Sequence, residues 1–268
     1  MSNHFHIVLY INSKIATDWT DAEVIARWHK LFKGSLQSQR FTTGQPQESA
    51  ALKLLGNQVD LWRARLTDIS WFMRILNEKV ARKANKEDRC TGRFWEGHFE
   101  CQALLDEQAL MACMAYVDLN PVRAGIAKTP QQSDHTSVKV RCNAAKSEGR
   151  VTGVIAKQPK QLQRFVGDPR NDMPQGLPFR LIDYLELVDW TGRQIRDDKR
   201  GTIDEALPGI LTRLELDDEQ WRYLTQHFES SFKTLVSTMH SLRKVCAKLG
   251  YQRIPGKSAC ESLFQATG

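Results

Sequence analysis

Asn3-His-Phe-His-Ile-Val-Leu-Tyr-Ile11 is an apolar run that carries two histidines near its start. Successive side chains of a β-strand point to opposite faces, so His4 and His6 would share one face with their Cα atoms about 6–7 Å apart. Beyond the histidines both faces of the run are apolar, which is typical of a central, buried strand. The run therefore predicts a strand in a sheet core that presents two imidazoles side by side.

The histidine pair has two interpretations. Two neutral imidazoles on one face are suitable ligands for a single divalent metal ion. A bare His-x-His also fits two ordinary polar positions near a chain end. The choice between the two therefore depends on the rest of the sequence.

The composition is that of a globular chain with a modest positive charge. The 268 residues are 41% hydrophobic, enough for one large or two modest domains. Lys and Arg number 38 against 31 Asp and Glu, and the net charge of +7 favours a polyanionic partner. The six cysteines include no CxxC pair, and no apolar run is long enough to cross a membrane. We therefore expect a cytoplasmic protein with free thiols and no membrane partner.

Two helix starts are marked clearly in the first hundred residues. Thr20 and Glu23 have the spacing of a capping box and precede an apolar-periodic stretch. Thr67 and Asp68 precede a second such stretch, whose remaining surface is rich in basic residues. These signals predict an amphipathic helix after each of the two caps.

The next stretch predicts a strand followed by a helix. Small or apolar residues alternate with polar ones at 95–103, the pattern of a half-buried strand. Asp106 is a candidate N-cap, and Pro121 should end the helix that follows it. Tyr116 would then lie in the last helical turn, with Asn120 one turn later on the same face.

The second half divides into a basic segment and a helical region. Residues 138–176 are basic and poor in apolar residues, so we expect a linker or a DNA-facing arm there. Residues 177–268 carry apolar stripes at helical spacing, which predict an all-helical C-terminal domain. The first domain would therefore span residues 1–137.

Four motifs stand out, and their order and spacing are more specific than any one of them. They are Met1-Ser-Asn-His-Phe-His6, Ser70-Trp-Phe-Met-Arg74, Thr91-Gly-Arg-Phe-Trp-Glu-Gly97 and Tyr116-Val-Asp-Leu-Asn-Pro-Val-Arg-Ala-Gly125. Together they resemble the REP-associated tyrosine transposases, the single-tyrosine branch of the HUH nucleases, over about residues 1–137. The resemblance implies an α+β fold with a ferredoxin-like HUH transposase domain. Relatives carry a strand, a helix and a strand before the His-x-His strand, so we expect this domain to be incomplete at its N-terminus.

The resemblance also implies the site residues. Tyr116 would be the nucleophile, and His4 and His6 would hold a divalent metal, Mg²⁺ or Mn²⁺. Asn120 matches the position whose polar side chain completes the metal site. A bound metal ion can neutralise charge that develops on a phosphate. A phenol with an ordinary pKa near 10 needs such help to attack phosphorus.

The implied reaction is metal-dependent cleavage and rejoining of single-stranded DNA through a 5′-phosphotyrosine intermediate. The partner would be single-stranded or hairpin DNA, and the resemblance leaves a homodimer open. The alternative is a catalytically inactive derivative that binds DNA or regulates. Cations that follow the backbone and aromatic rings that stack on bases are the expected DNA contacts. The candidates are Arg74, Arg82, Lys83, Arg93, Trp95 and Arg123.

Overall fold

The computed structural model describes residues 4–146, 158–167, 175–195 and 208–264. Of these residues 60% are helical and only 3% are extended. Their one sheet consists of two parallel strands of two residues each, β1 at Ala103–Leu104 and β2 at Leu235–Val236. The expected ferredoxin-like HUH transposase domain is therefore wrong, because that fold needs a sheet of several strands.

Packing divides the chain into two compact units. The large unit combines residues 4–8 with the described residues from 101 to 264, and the small unit comprises residues 9–100. The sequence-based domain boundaries after residues 137 and 176 both fall within the large unit.

The small unit is helical and is built on stacked tryptophans. Trp28 and Trp62 are buried, and their rings stack with centroids 4.9 Å apart and planes 7° from parallel. The helices that bury them, α2 and α4, pack against each other. The unit contains α1 at Ser13–Thr17, α2 at Asp21–His29, α3 at Leu36–Thr42, α4 at Ser49–Arg65 and α5 at Ile69–Glu87.

Both caps predicted for this region are confirmed. The Thr20 hydroxyl accepts a hydrogen bond from the Glu23 N–H, and a Glu23 carboxylate oxygen accepts one from the Thr20 N–H at 2.8 Å. Asp68 accepts hydrogen bonds from the backbone N–H groups of Ser70 and Trp71 at the start of α5. Local side-chain chemistry therefore fixes where both helices begin.

We expect Thr20→Ala to lower the free energy of unfolding by about 1 kcal/mol, the typical cost of losing an N-cap. Thr20→Ser is the matched control, because serine keeps the accepting hydroxyl. Urea denaturation followed by circular dichroism measures both. A serine variant as unstable as the alanine variant would contradict a hydrogen-bonded cap.

The large unit has its core where α6 packs along α11. Met111 on α6 and Trp221, Leu224 and Phe228 on α11 are all buried there. The helices of the described part are α6 at Glu107–Asp118, α7 at Asn120–Arg123, a 3₁₀ turn at Pro130–Gln132, α8 at Ser137–Lys146, α9 at Leu181–Ile195, α10 at Gly209–Arg213, α11 at Asp218–Ser231, α12 at Met239–Leu249 and α13 at Lys257–Leu263.

Asp106 joins the start of α6 to the end of β2. One carboxylate oxygen accepts from the Ala109 N–H at 3.0 Å, which caps α6 as the sequence predicts. The other accepts from the Ser237 hydroxyl and the Thr238 N–H, each at 2.7 Å. One side chain therefore holds together segments that lie far apart in sequence.

Asp118, the last residue of α6, is a buried carboxylate that joins three helices. It accepts hydrogen bonds from the Ser137 hydroxyl at 2.8 Å, the Val138 N–H at 3.1 Å and the Tyr184 hydroxyl at 2.5 Å. Burial raises the pKa of this carboxyl, while the hydrogen bonds and nearby Arg141 act in the opposite direction. The C-terminal end of α6 is thereby fixed against α8 and α9.

The predicted strand at residues 3–11 is wrong over the described residues, because residues 4–12 adopt no regular secondary structure. Phe5, Ile7, Leu9 and Ile11 are 39–43% exposed and Tyr10 is 65% exposed. An apolar run becomes a central strand only beside neighbouring strands, and the two short strands in the described chain pair with each other.

The predicted strand at residues 95–103 is also wrong, apart from Ala103. The Arg93 side chain donates to the carbonyls of Trp95 at 2.8 Å and Glu96 at 2.7 Å. These are acceptors that a sheet would otherwise use, and residues 93–102 form neither helix nor strand. Among the helices that the structure describes, none has both the length and the apolar composition to cross a bilayer.

Candidate active site

Tyr116 lies in the last turn of α6, as predicted, and its side chain is almost fully buried. Its ring contacts Phe228 on α11, with the ring centroids 5.9 Å apart. The Arg123 guanidinium carbon stands 3.9 Å from the ring centroid, a cation–π arrangement. The phenol is therefore enclosed between α6, α7 and α11 in the large unit.

The two predicted histidines lie beside this tyrosine in the same unit. The ring centroids of His4 and His6 are 5.1 Å apart, and the His6 ring is 5.8 Å from the Tyr116 ring. The Nε2 atom of His6 is buried and has no hydrogen-bond partner within the described chain. An irregular segment, and not the predicted strand, therefore places the two histidines beside Tyr116 on α6.

Glu229 on α11 completes the site and was not predicted from the sequence. Its carboxylate accepts a hydrogen bond from the Tyr116 hydroxyl at 2.9 Å. The same carboxylate oxygen is 3.9 Å from His6 Nε2. Glu229 is 113 positions from Tyr116 along the chain, and no local sequence pattern connects the two.

Arg123 has a different environment from the exposed phosphate contact that the sequence suggested. Its Nη1 atom donates to the backbone carbonyls of Tyr116 at 3.0 Å and Thr225 at 2.8 Å. The guanidinium therefore holds the end of α6 against α11 while it covers the tyrosine ring. Its role in DNA binding stays a prediction.

The enclosure changes the acid–base properties of the site. Burial, and secondly the hydrogen bond to Glu229, raises the pKa of Tyr116 to about 12, against the opposing influence of Arg123. Burial lowers the pKa of His6, while the Glu229 carboxylate acts to raise it. At neutral pH the phenol is therefore protonated and the His6 imidazole is neutral, with a lone pair available for a metal ion.

Asn120 is buried at the start of α7, one turn after Tyr116. Its backbone carbonyl accepts from the Ala124 N–H at 2.9 Å, which places it inside the short helix. In the described ranges, no three His, Cys, Asp or Glu side chains are grouped so that they could hold a metal ion. A set of two histidines and one amide is not a group of that kind, so the predicted metal role of Asn120 stays a prediction.

Three of the candidate DNA contacts lie on α5 in the small unit and are exposed. Arg82 pairs with Glu78 at 2.6 Å, and Lys83 pairs with Glu87 at 3.7 Å. Arg74 has no ion-pair partner within 4.0 Å in the described chain, and its guanidinium carbon lies 5.2 Å from the centroid of the Trp71 ring. Exposed ion pairs of this type are weak, and they can exchange their partner for a phosphate.

The remaining two candidates lie in the irregular segment after α5. The Arg93 guanidinium is held by the carbonyls of Trp95 and Glu96. The Trp95 indole N–H donates to the Asn77 carbonyl at 2.9 Å, and the Phe94 ring packs against its edge. The indole is therefore anchored at one end and only partly available for stacking.

The sequence motifs and the geometry of the site involve the same residues. Two of the four motifs supply His4, His6 and Tyr116, and the fold places these three rings together. Comparison of the chain with protein-family models, with curated proteins and with solved structures found no match.

Proposed function

We propose that this protein cleaves and rejoins single-stranded DNA, with Tyr116 as the nucleophile and a divalent metal, Mg²⁺ or Mn²⁺, at the histidine pair. The observation that carries the proposal is the approach of His6 to Tyr116, with ring centroids 5.8 Å apart. The expected sheet does not bring them together, so their proximity in a different fold supports a shared role. We place the reaction in the cytoplasm, where the six free cysteines would stay reduced.

The environment of the His6 Nε2 atom fits a metal ligand. The buried His6 Nε2 atom has no hydrogen-bond partner in the described chain, and the His4 ring is adjacent. Imidazole nitrogens are ligands of divalent transition metals, and an amide oxygen suits Mn²⁺ or Mg²⁺. His4 and His6 would hold the ion, with Asn120 as the third ligand. When bound, the ion would neutralise charge on the reacting phosphate.

The protein's own groups would prepare the nucleophile. Phe228, His6 and Arg123 fix the Tyr116 ring, so its hydroxyl oxygen is held in place before substrate binds. Attack forms a bond from this oxygen to phosphorus and releases a 3′-OH. Attack by a 3′-OH on the phosphotyrosine then rejoins the strand, so bond energy is conserved.

Charge and exposure support a nucleic-acid substrate. The chain carries a net charge of +7, and Arg74, Arg82 and Lys83 are exposed on one helix. Cations of this kind bind a polyanion by releasing its counterions. A single strand rather than a duplex is proposed because the scissile phosphate must reach an enclosed phenol.

A second candidate is a DNA-binding derivative that no longer cleaves. The Tyr116 hydroxyl is engaged by Glu229, and its pKa is raised to about 12, which makes it a poor nucleophile without help. This candidate shares the charged surface with the first and differs from it only in chemistry. Covalent trapping therefore separates the two.

The experiment incubates the full chain with a single-stranded oligonucleotide flanked by hairpins, in Mn²⁺ or in chelator, and runs the products on a denaturing gel. A metal-dependent protein–DNA adduct, mapped by mass spectrometry to the peptide that contains Tyr116, is expected. Binding in a gel-shift assay without an adduct in any divalent metal would favour the derivative. An adduct mapped to another residue would remove Tyr116 from the proposal.

A further inference from the structure

Glu229 lies where a proton acceptor for Tyr116 would be needed. The hydroxyl donates directly to its carboxylate at 2.9 Å, within the range for proton transfer between oxygens. The carboxylate side chain is 58% exposed, so it also reaches solvent. It is therefore in contact both with the reacting oxygen and with water.

A break in α11 accompanies this placement. His227 has non-helical backbone angles, with φ −121° and ψ 15°, two residues before Glu229. The Thr225 carbonyl, two residues before the kink, accepts from Arg123 Nη1 at 2.8 Å, and the same Arg123 atom also donates to the Tyr116 carbonyl. Arg123 therefore links the helical turn before the kink to the end of α6 that carries the tyrosine.

We propose that Glu229 is a catalytic residue that accepts the phenolic proton of Tyr116 as the phenol attacks phosphorus. This inference rests on the proposed function and adds a residue that neither the motifs nor their spacing assign. The oxygen–phosphorus bond forms and the bond from phosphorus to the 3′-oxygen breaks, while the proton moves from Tyr116 to Glu229. The leaving 3′-oxygen keeps the bond electrons and takes a proton from water. Glu229 then releases the proton that it accepted from Tyr116 to solvent.

The test compares Glu229→Gln with Glu219→Gln. Glutamine keeps the size of the side chain and an oxygen that can accept the hydrogen bond, but it does not take up the proton. Glu219 is exposed on the same helix, so its variant has the same change in net charge without touching the site. The rate of adduct formation is measured in Mn²⁺ with saturating oligonucleotide, and DNA affinity is measured by fluorescence anisotropy.

We expect Glu229→Gln to slow adduct formation on the order of 10²–10⁴-fold, the usual contribution of a general base. Glu219→Gln should form the adduct at the wild-type rate, and both variants should bind DNA alike. Glu229→Asp should recover part of the rate, because aspartate still takes up a proton.

Two results would overturn the inference while the proposed function stands. One is a Glu229→Gln rate within about threefold of the Glu219→Gln rate, and the other is a rate faster than wild type, which would make Glu229 a restraint on the nucleophile. If the wild-type chain forms no adduct in any divalent metal, the proposed function fails and the inference fails with it.

Discussion

Tyr116→Phe is expected to eliminate the covalent adduct with single-stranded DNA while the protein stays folded and binds DNA. The substitution removes one oxygen atom, and the ring contacts to Phe228, His6 and Arg123 remain available. Loss of a nucleophile that forms a covalent intermediate lowers rates on the order of 10⁴–10⁶-fold. Glu229 is 58% exposed, so water can replace the lost hydroxyl and the cost in stability is about 1 kcal/mol or less.

Tyr223→Phe is the matched control for this prediction. Tyr223 lies on α11 and is 45% exposed, and its hydroxyl accepts a bond from the Ser231 hydroxyl at 3.3 Å. The variant removes the same atom from a tyrosine outside the site, so adduct yield should match wild type. An adduct at full yield in Tyr116→Phe would show that another residue is the nucleophile.

Asp118→Ala is expected to lower the free energy of unfolding by about 3–5 kcal/mol, the range for removing one partner of a buried charged network. Asp118 is 2% exposed and receives the bonds from Ser137, Val138 and Tyr184. Removing it leaves these donors without their acceptor in the interior. Guanidinium denaturation measures the loss. Asp134→Ala, which removes an exposed carboxylate near α8, should have a much smaller effect.

The raised pKa of the Asp118 carboxyl predicts that its contribution to the free energy of unfolding depends on pH. Comparison with a variant that lacks this carboxyl isolates the contribution. Burial raises the pKa of Asp118 above its ordinary 3.8, so the folded state binds this proton more tightly than the unfolded state. Its contribution is complete below pH 3.8 and is lost as the pH rises through the higher folded value. The stability of wild type relative to Asp118→Asn should therefore fall over that interval. A difference that stays constant or rises would contradict the raised pKa.

The helix starts could be predicted because their causes are local. Thr20, Asp68 and Asp106 each accept a backbone N–H two or three positions later, so a short window of sequence contains the whole interaction. The two predicted strands depend on partners outside any window. Alternation at 95–103 and the apolar run at 3–11 describe residues suited to a sheet, but neither specifies a neighbour.

The candidate site could also be predicted only in part. Tyr116 and the histidines belong to motifs, so the residues could be identified from the sequence, but their proximity could not. Glu229 belongs to no motif, and its contact with Tyr116 spans 113 positions. Arg123, just past the predicted helix, was expected to contact phosphate, whereas in the structure its guanidinium holds two backbone carbonyls. Such a role depends on which chain atoms come close, and composition carries no such information.

The site draws on His6, Tyr116 and Glu229, three points spread along most of the chain, and this has a consequence for protein synthesis. The small unit is one continuous stretch, 9–100, and can fold while the ribosome is still adding residues. The histidine segment emerges first but belongs to the large unit, whose remaining residues begin at 101. Contacts of such long sequence separation form slowly, because a long loop must close before they contribute. A nascent chain that ends between Tyr116 and α11 therefore carries the histidines and the tyrosine without Glu229.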